Sequence, residues 1–331
     1  MSDNPKMKDT SKVTALVNDR LKTKEAIAPL FRLTFLIVLM IALSILSEDF
    51  FTWSNLINVL RQSTFLIVIG LGLTGVLLTG GIDLSVGGVL AFVGCATGQM
   101  MRSGVPLYLA VPIGLLIGAG VGCFNGFMVG YIKLPPFVAT YGSKWISEGL
   151  ALLLMQGQVI YGFPRIYRWI GIGYIGPIPV PIIIAGILAV IMNFLFVKTV
   201  FGRQVYALGS NKEAAFYSGI KVKKNILIVY TLAGLMAGIA GLLMLARLDA
   251  AEVNMGEALQ LQSLAAVIIG GASLRGGEGS IFGTIIGAII LTLVVNGLNL
   301  LGVRSLWHPV VLGGVILASV IIDLRMKKMA Q

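Results

Sequence analysis

The chain has 331 residues, 57% of them hydrophobic and only 12% charged, where soluble domains carry about 25% charged residues. So little charge cannot cover a soluble surface, so a soluble enzyme is excluded and an integral membrane protein is expected. Two cysteines and one histidine exclude a disulfide scaffold and a histidine-rich metal site, although the net charge is +11.

Residues 1–29 are polar and mixed in charge and read as a cytoplasmic tail. A membrane crossing needs about 20 mostly apolar residues. That rule selects ten segments: Leu30–Leu46, Leu56–Thr79, Val86–Met101, Leu107–Ile132, Phe137–Met155, Val180–Val197, Asn225–Ala246, Leu259–Ile269, Ile281–Leu301 and Leu306–Ile322. The eighth is short and runs into a glycine-rich turn, the pattern of a broken or re-entrant span, so the count lies between eight and ten, with ten favoured. The expected fold is an all-α polytopic membrane protein with a transmembrane domain over 30–323 and a C-terminal tail over 324–331. With the N-terminus in the cytoplasm, 18 of the 25 Lys and Arg fall inside, six outside, and Lys144 within a span. That split puts both termini in the cytoplasm. It also explains the basic charge as retention at a lipid surface rather than nucleic-acid binding.

Asp83 and Ser85 lie between the second and third segments. One or both cap a helix start, or they take a direct part in gating or solute passage; both readings stay open. The fourth segment carries Gly114, Gly118, Gly122, Gly126 and Gly130, a glycine every fourth residue and hence a side-chain-free face. Gly234 with Gly238 and Gly283 with Gly287 repeat the spacing. Close packing and a sliding surface are both consistent with it. Cys95 and Cys123 lie in apolar runs and read as small core residues. In the fifth segment Lys144 and Glu148 are four apart and can pair. Segment 156–179 reads as an interfacial loop with Trp169 and Tyr174 at headgroup level. Two strings, GGIDLSVGG at 80–88 and GGASLRGG at 270–277, resemble each other and suggest an internal duplication.

The longest loop between spans, 198–224, is predicted to hold a short helix over 211–218. Asn211 is its N-cap, Glu213 its acidic first turn and Gly219 its stop. The chain contains no G-x-x-x-x-G-K-[ST] string, so no ATP-binding P-loop of its own is expected. It either passes solute downhill or borrows energy from a partner.

Four strings then act together: GGIDLSVGG, FGRQVYALGSNKEAAFYSGI at 201–220, AAVIIGGASLRGGEGSIFGTIIGA at 265–288 and NGLNLLGV at 296–303. In order and spacing they resemble the membrane permeases of ribose/xylose/galactose-type ABC sugar importers, ribose-type members most. The resemblance implies a permease subunit in a bacterial plasma (inner) membrane. It pairs with a second copy or a sister permease. A cytoplasmic ABC ATPase drives it and an extracytoplasmic sugar-binding protein feeds it. No cofactor would be held by this chain, since ATP and Mg belong to the ATPase. Asn211, Glu213, Ala214, Ala215 and Gly219 would couple to that ATPase. Gln62, Asp83, Asn125, Asn296 and Asn299 are the candidates for lining a weakly polar substrate path, with interhelical hydrogen bonding as their other reading. One departure is that Glu257 is followed by the neutral run 258–263. Asp249, Glu252 and Glu257 are left as an acidic patch for the binding protein. The alternative function is a stand-alone sugar carrier or facilitator coupled to an ion through Asp83 or Glu148. A membrane enzyme is disfavoured, because no metal cluster or nucleophile–base pair stands out.

Overall fold

The computed structural model describes residues 32–329, so the expected N-terminal tail lies outside the described residues. Helices occupy the apolar segments in order. They are α1 (Arg32–Leu46), α2 (Trp53–Leu78), α3 (Val86–Arg102), α4 (Leu107–Gly130) and α5 (Pro136–Met155). After α6 (Arg165–Ile172) come α7 (Val180–Lys198), α8 (Val200–Ser210), α9 (Lys212–Tyr217) and α10 (Val222–Leu248). The last three are α11 (Glu257–Ile269), α12 (Ile281–Leu300) and α13 (His308–Met329). Five of them, α2, α4, α7, α10 and α12, are long and apolar enough to cross a membrane on their own.

The core is built around α10 and α2. Helix α10 packs against α4, α2 and α3, while α2 also meets α12, α11 and α7. Two thirds of the apolar stretch of each is buried, against 22% for α4, which therefore lies at the rim with one face inward. That face is the glycine ridge. A Cβ at Gly118 would sit 2.7 Å from the Gly234 carbonyl oxygen, and one at Gly126 would sit 2.7 Å from the Cα of Leu227. Gly122 would strike the Tyr230 carbonyl. The spacing of four thus marks helix packing, and Gly234 and Gly238 are its counterpart on α10. Cys95 is buried as expected, whereas Cys123 is exposed, because it falls on the outward side of α4.

Helix α10 has 27 residues, about 40 Å at 1.5 Å per residue. It therefore sets two ends of the molecule. The short helices α8 and α9 gather at the end where α10 begins. At the other end segment 156–179 is more ordered than a loop. It holds α6, a two-residue ribbon pairing Ile160–Tyr161 with Ala250–Ala251, and a hairpin pairing Tyr174–Ile175 with Ile178–Pro179. Asp249 holds it, accepting from the Phe163 N–H at 2.8 Å and pairing with Arg168 at 3.3 Å. Trp169 and Tyr174 are exposed there, and Tyr174 hydrogen-bonds to Arg61 and lies under its guanidinium.

The ridge generates a test. Gly122→Ala should lower thermal stability by about 1–3 kcal/mol through overpacking. Gly120→Ala, with nothing within 4 Å of the added atom, should lose none and gain up to about 1 kcal/mol of helix propensity. Thermal unfolding in mild detergent reads both, and equal effects would remove the ridge as a packing surface.

Candidate functional site

Between α8 and α10 the chain folds as the local sequence dictates. Asn211 ends α8 and caps α9, its side-chain oxygen accepting from the Ala214 N–H at 3.0 Å. Glu213 stands in the first turn, where a carboxylate suits the helix dipole. Gly219 takes φ +81° just past the last turn, with open space around it. A left-handed residue there stops the helix at little steric cost only when it is glycine. Asn211, Glu213, Ala214 and Gly219 are all exposed. Ala215 is not: it is 4% exposed and packs in the main core. It anchors α9 from beneath and has no surface to offer a partner. Sequence reasoning passed over Phe216 and Tyr217, 65% and 85% exposed and set edge-to-face at 5.7 Å. Two adjacent aromatics in a polar loop were the signal.

Behind α9 three chain segments meet through bare backbone. A Cβ at Gly209, near the end of α8, would strike the carbonyl of Leu78 and the N–H of Gly277. The Gly277 N–H itself donates to the Leu78 carbonyl at 2.9 Å. Gly276 lies against Gly80 and Gly209, where a Cβ would come within 2.8 Å and 2.9 Å of backbone atoms. The two glycine-rich strings noted in the sequence therefore touch, and they do so against the arm that carries α9. Tyr206 on α8 completes the junction, donating to the Gly279 carbonyl at 2.8 Å. Burial pushes its phenol up, so it stays a neutral donor.

Helix α2 stops at Leu78 and α3 starts only at Val86. In the irregular segment between them Gly81, Asp83 and Ser85 are buried, and its polar groups are served locally. Asp83 accepts from the Ser85 N–H at 2.8 Å and the Ser85 hydroxyl at 2.6 Å. The Asn125 amide donates to the Ser85 hydroxyl at 2.8 Å. The Leu84 N–H donates to Thr140 at 3.1 Å. Ser85 stands at the N-cap position of α3 without a side-chain cap bond, so its hydroxyl joins a network rather than capping. One oxygen each of Asp83 and Asn125 is buried with no hydrogen-bond partner among the described residues.

A second break follows α10. The chain from Ala250 to Gly256 descends along α3: a Cβ at Gly98 would come within 2.9 Å of the Ala251 methyl, Met255 lies on Gly94 and Gly256 on Gly87. Helix α11 starts there, in the body of the molecule, as its shortness suggested. This separates Asp249 from Glu257, two of the three acidic residues expected to share one patch. Asp249 is used internally at the ribbon end, while Glu257 lies at the level of Gly87.

The five path candidates divide accordingly. Asp83, Asn125 and Asn296 are at most 4% exposed. Asp83 and Asn125 share the network at the first break. Asn296 exchanges amide hydrogen bonds with Asn55, at 2.7 Å and 3.1 Å, which ties α12 to α2. Gln62 is half-buried and Asn299 exposed, on different helices and outside either cluster. In this conformation the buried three hold helices together. Lys144 and Glu148 pair at 3.6 Å, so Glu148 has the expected local partner. Among the described residues no group of three or more His, Cys, Asp or Glu could hold a metal ion.

Residues 55–320 match the family described as "Branched-chain amino acid transport system / permease component". The D-allose transport system permease protein AlsC of Escherichia coli (strain K12) is 40% identical over 298 residues, covering 89% of this chain and 91% of that protein. The ribose import permease protein RbsC of Bacillus subtilis (strain 168) is 43% identical over 290 residues, 87% of this chain and 90% of that one. The fructose import permease protein FruF of Bifidobacterium longum (strain NCC 2705) is 34% identical, covering 81% and 80%. No solved structure matches the chain.

The junction predicts an order of damage. Gly209→Ala should cost about 1–3 kcal/mol, because rigid backbone blocks the added methyl. Gly219→Ala should cost about 1 kcal/mol, from the left-handed conformation alone. Detergent unfolding midpoints rank them, and the reverse order would remove the junction.

Proposed function

The chain belongs to the permease-component family that its residues 55–320 match, and we propose that it is the membrane subunit of an ATP-driven importer of a monosaccharide, ribose first. The single observation that carries the sugar class is the run of near-full-length relatives named for ribose, allose and fructose import. That class agrees with the four strings singled out in the sequence. Ten crossings with both ends in the cytoplasm of a bacterial inner membrane fit the Lys/Arg asymmetry. The end bearing α9 is then cytoplasmic and the ribbon end faces the binding protein.

In this reading α9 is the piece that engages a cytoplasmic ATPase. Its exposed elements suit that role: Glu213 and Ala214 on a slim first turn, the Phe216–Tyr217 pair beyond it, and Gly219 as the bend that returns the chain to α10. Exposed aromatics that fill a partner's pocket carry much of the energy of small interfaces. ATP and Mg stay with the ATPase. Its closing and opening would move α9, and the junction of Gly209, Gly277 and Leu78 would pass that movement to both broken spans. A second permease copy completes the path, and an extracytoplasmic binding protein delivers the sugar.

Purification of the tagged chain from native membranes tests this. A stoichiometric ATPase should co-purify, and Phe216→Ala with Tyr217→Ala should reduce its retention at least about tenfold. Gly219→Asp should uncouple sugar uptake from ATP hydrolysis while the protein stays folded, since the position is open and aspartate tolerates the left-handed region better than most residues. Full ATP-driven uptake by Gly219→Asp would overturn the role given to α9.

A further inference from the structure

Helix α5 does not match a lipid-facing span. It has 20 residues, long enough to cross, yet it is not among the five helices apolar enough to do so on their own. One face of small residues, Ala139, Ser143, Ser147 and Ala151, is buried, and α3 is its main neighbour. The opposite face is open and carries a polar cluster. Tyr141, Lys144, Trp145 and Glu148 fall at i, i+3, i+4 and i+7, hence on one side of the helix. The Lys144 ammonium lies 5.6 Å from the Trp145 ring centre and 6.0 Å from that of Tyr141, and 3.6 Å from Glu148. Lys144 and Glu148 keep 17% and 22% of their side-chain surface exposed, and Tyr141 and Trp145 more.

The depth of this cluster decides what can face it. Lys144 is about 12 Å along the axis from the start of α5, deep within a hydrocarbon core about 30 Å thick. Trp and Tyr that anchor a helix at headgroup level sit at its ends, and partly exposed charges at mid-depth face protein or water. The surroundings favour water. A Cβ at Gly88 would come within 2.8 Å of the Lys144 carbonyl, so α5 touches the first turn of α3 at this level. Gly87, its neighbour, packs on Gly256 and Gln260 where α11 begins. Both broken spans therefore restart beside the cluster, and Asn254 and Glu257 are exposed there. Irregular backbone at membrane depth persists where it is buried in protein or lines a wet cavity.

We propose that the α5 face bearing Tyr141, Lys144, Trp145 and Glu148 is a wall of the solute path, where a neutral polyhydroxylated sugar passes stacked on Trp145 with its hydroxyls bonded to Lys144 and Glu148. This rests on the sugar-importer reading above. The chemistry is complementary. The C–H face of a sugar ring meets the electron-rich face of an indole. Lys donates only and ionised Glu accepts only, and a hydroxyl can do both. Opposite charges held together leave the wall neutral overall, so it draws no ion. Gln62 and the buried asparagines are not needed for contact. The second permease copy closes the path from the far side.

The test uses the assembled importer in proteoliposomes, with Cys123→Ser as background because Cys123 is exposed and Cys95 buried. Trp145→Cys and Glu148→Cys should react with a water-soluble thiosulfonate, since thiolate forms only where water reaches. Millimolar D-ribose or D-allose should slow that reaction. Ile146→Cys and Leu153→Cys, exposed on the same helix at 57% and 75%, should not react. Separately, Trp145→Ala should cut uptake about tenfold, Trp145→Phe should restore most of it, and Ile146→Ala should leave it unchanged. Sugar uptake by the unmodified importer with positions 145 and 148 unreactive would overturn the α5 path alone, as would equal reaction at all four positions. Absence of uptake of ribose, allose and fructose by the unmodified importer would instead overturn the sugar reading, and with it the ligand assigned to this wall.

Discussion

Contact between bare backbones is the condition on which this molecule rests. In lipid, apolar side chains gain nothing by leaving one hydrocarbon for another, so helices associate by approaching closely. The α4 ridge against Gly234 on α10 is one such approach, Gly88 on the backbone of α5 a second, and Gly87 on Gly256 a third. Each places a main chain where a side chain would otherwise stand. Without the first, α10 would not sit at the centre. Without the others, the two broken spans would not restart at one level.

The breaks create a need that the polar residues meet. A helix satisfies its own backbone, but the irregular stretches before α3 and before α12 do not, and their N–H groups take partners from elsewhere. Thr140 takes the Leu84 N–H, Asp83 takes that of Ser85, and the Gly277 N–H finds the Leu78 carbonyl. Polar side chains in such a protein thus have two employments, repair of the backbone and contact with solute. The Asn55–Asn296 exchange adds a third, an interhelical bond worth about 0.6 kcal/mol on average. Only exposure in three dimensions separates these uses.

That is why the fold was more legible than the path. Apolar runs depend on nearest neighbours in the chain, and the helices lie where those runs fall. The α9 turn was legible for the same reason, since Asn211, Glu213 and Gly219 act within a few residues of one another. Asn125 and Asn296 stand out as path candidates because polarity inside a span is visible in sequence, whereas the direction a side chain faces is not. Cys123 faced outward and Ala215 inward against expectation, each decided by which side of its helix met the core. Asp249 and Glu257 look adjacent in the chain, yet an extended segment runs down α3 between them. The Lys144–Glu148 pair was readable as a pair, but its aromatic neighbours and its level beside the two restarts required the packing.

The junction of Leu78, Gly209 and Gly277 also bears on how the molecule is made. Its three segments are far apart in the chain, and glycines such as Gly276 and Gly277, at φ +90° and +76°, give up more freedom on ordering than any other residue. Helices inserted one after another during synthesis satisfy their own backbones at once. The junction cannot close until the stretch around Gly277 has emerged and taken its place. Until then the arm carrying α9 lacks the part of its brace that Gly277 supplies. The bracing of α9 is therefore completed only after α11 has been made, and a truncated or half-inserted chain would carry α9 without it.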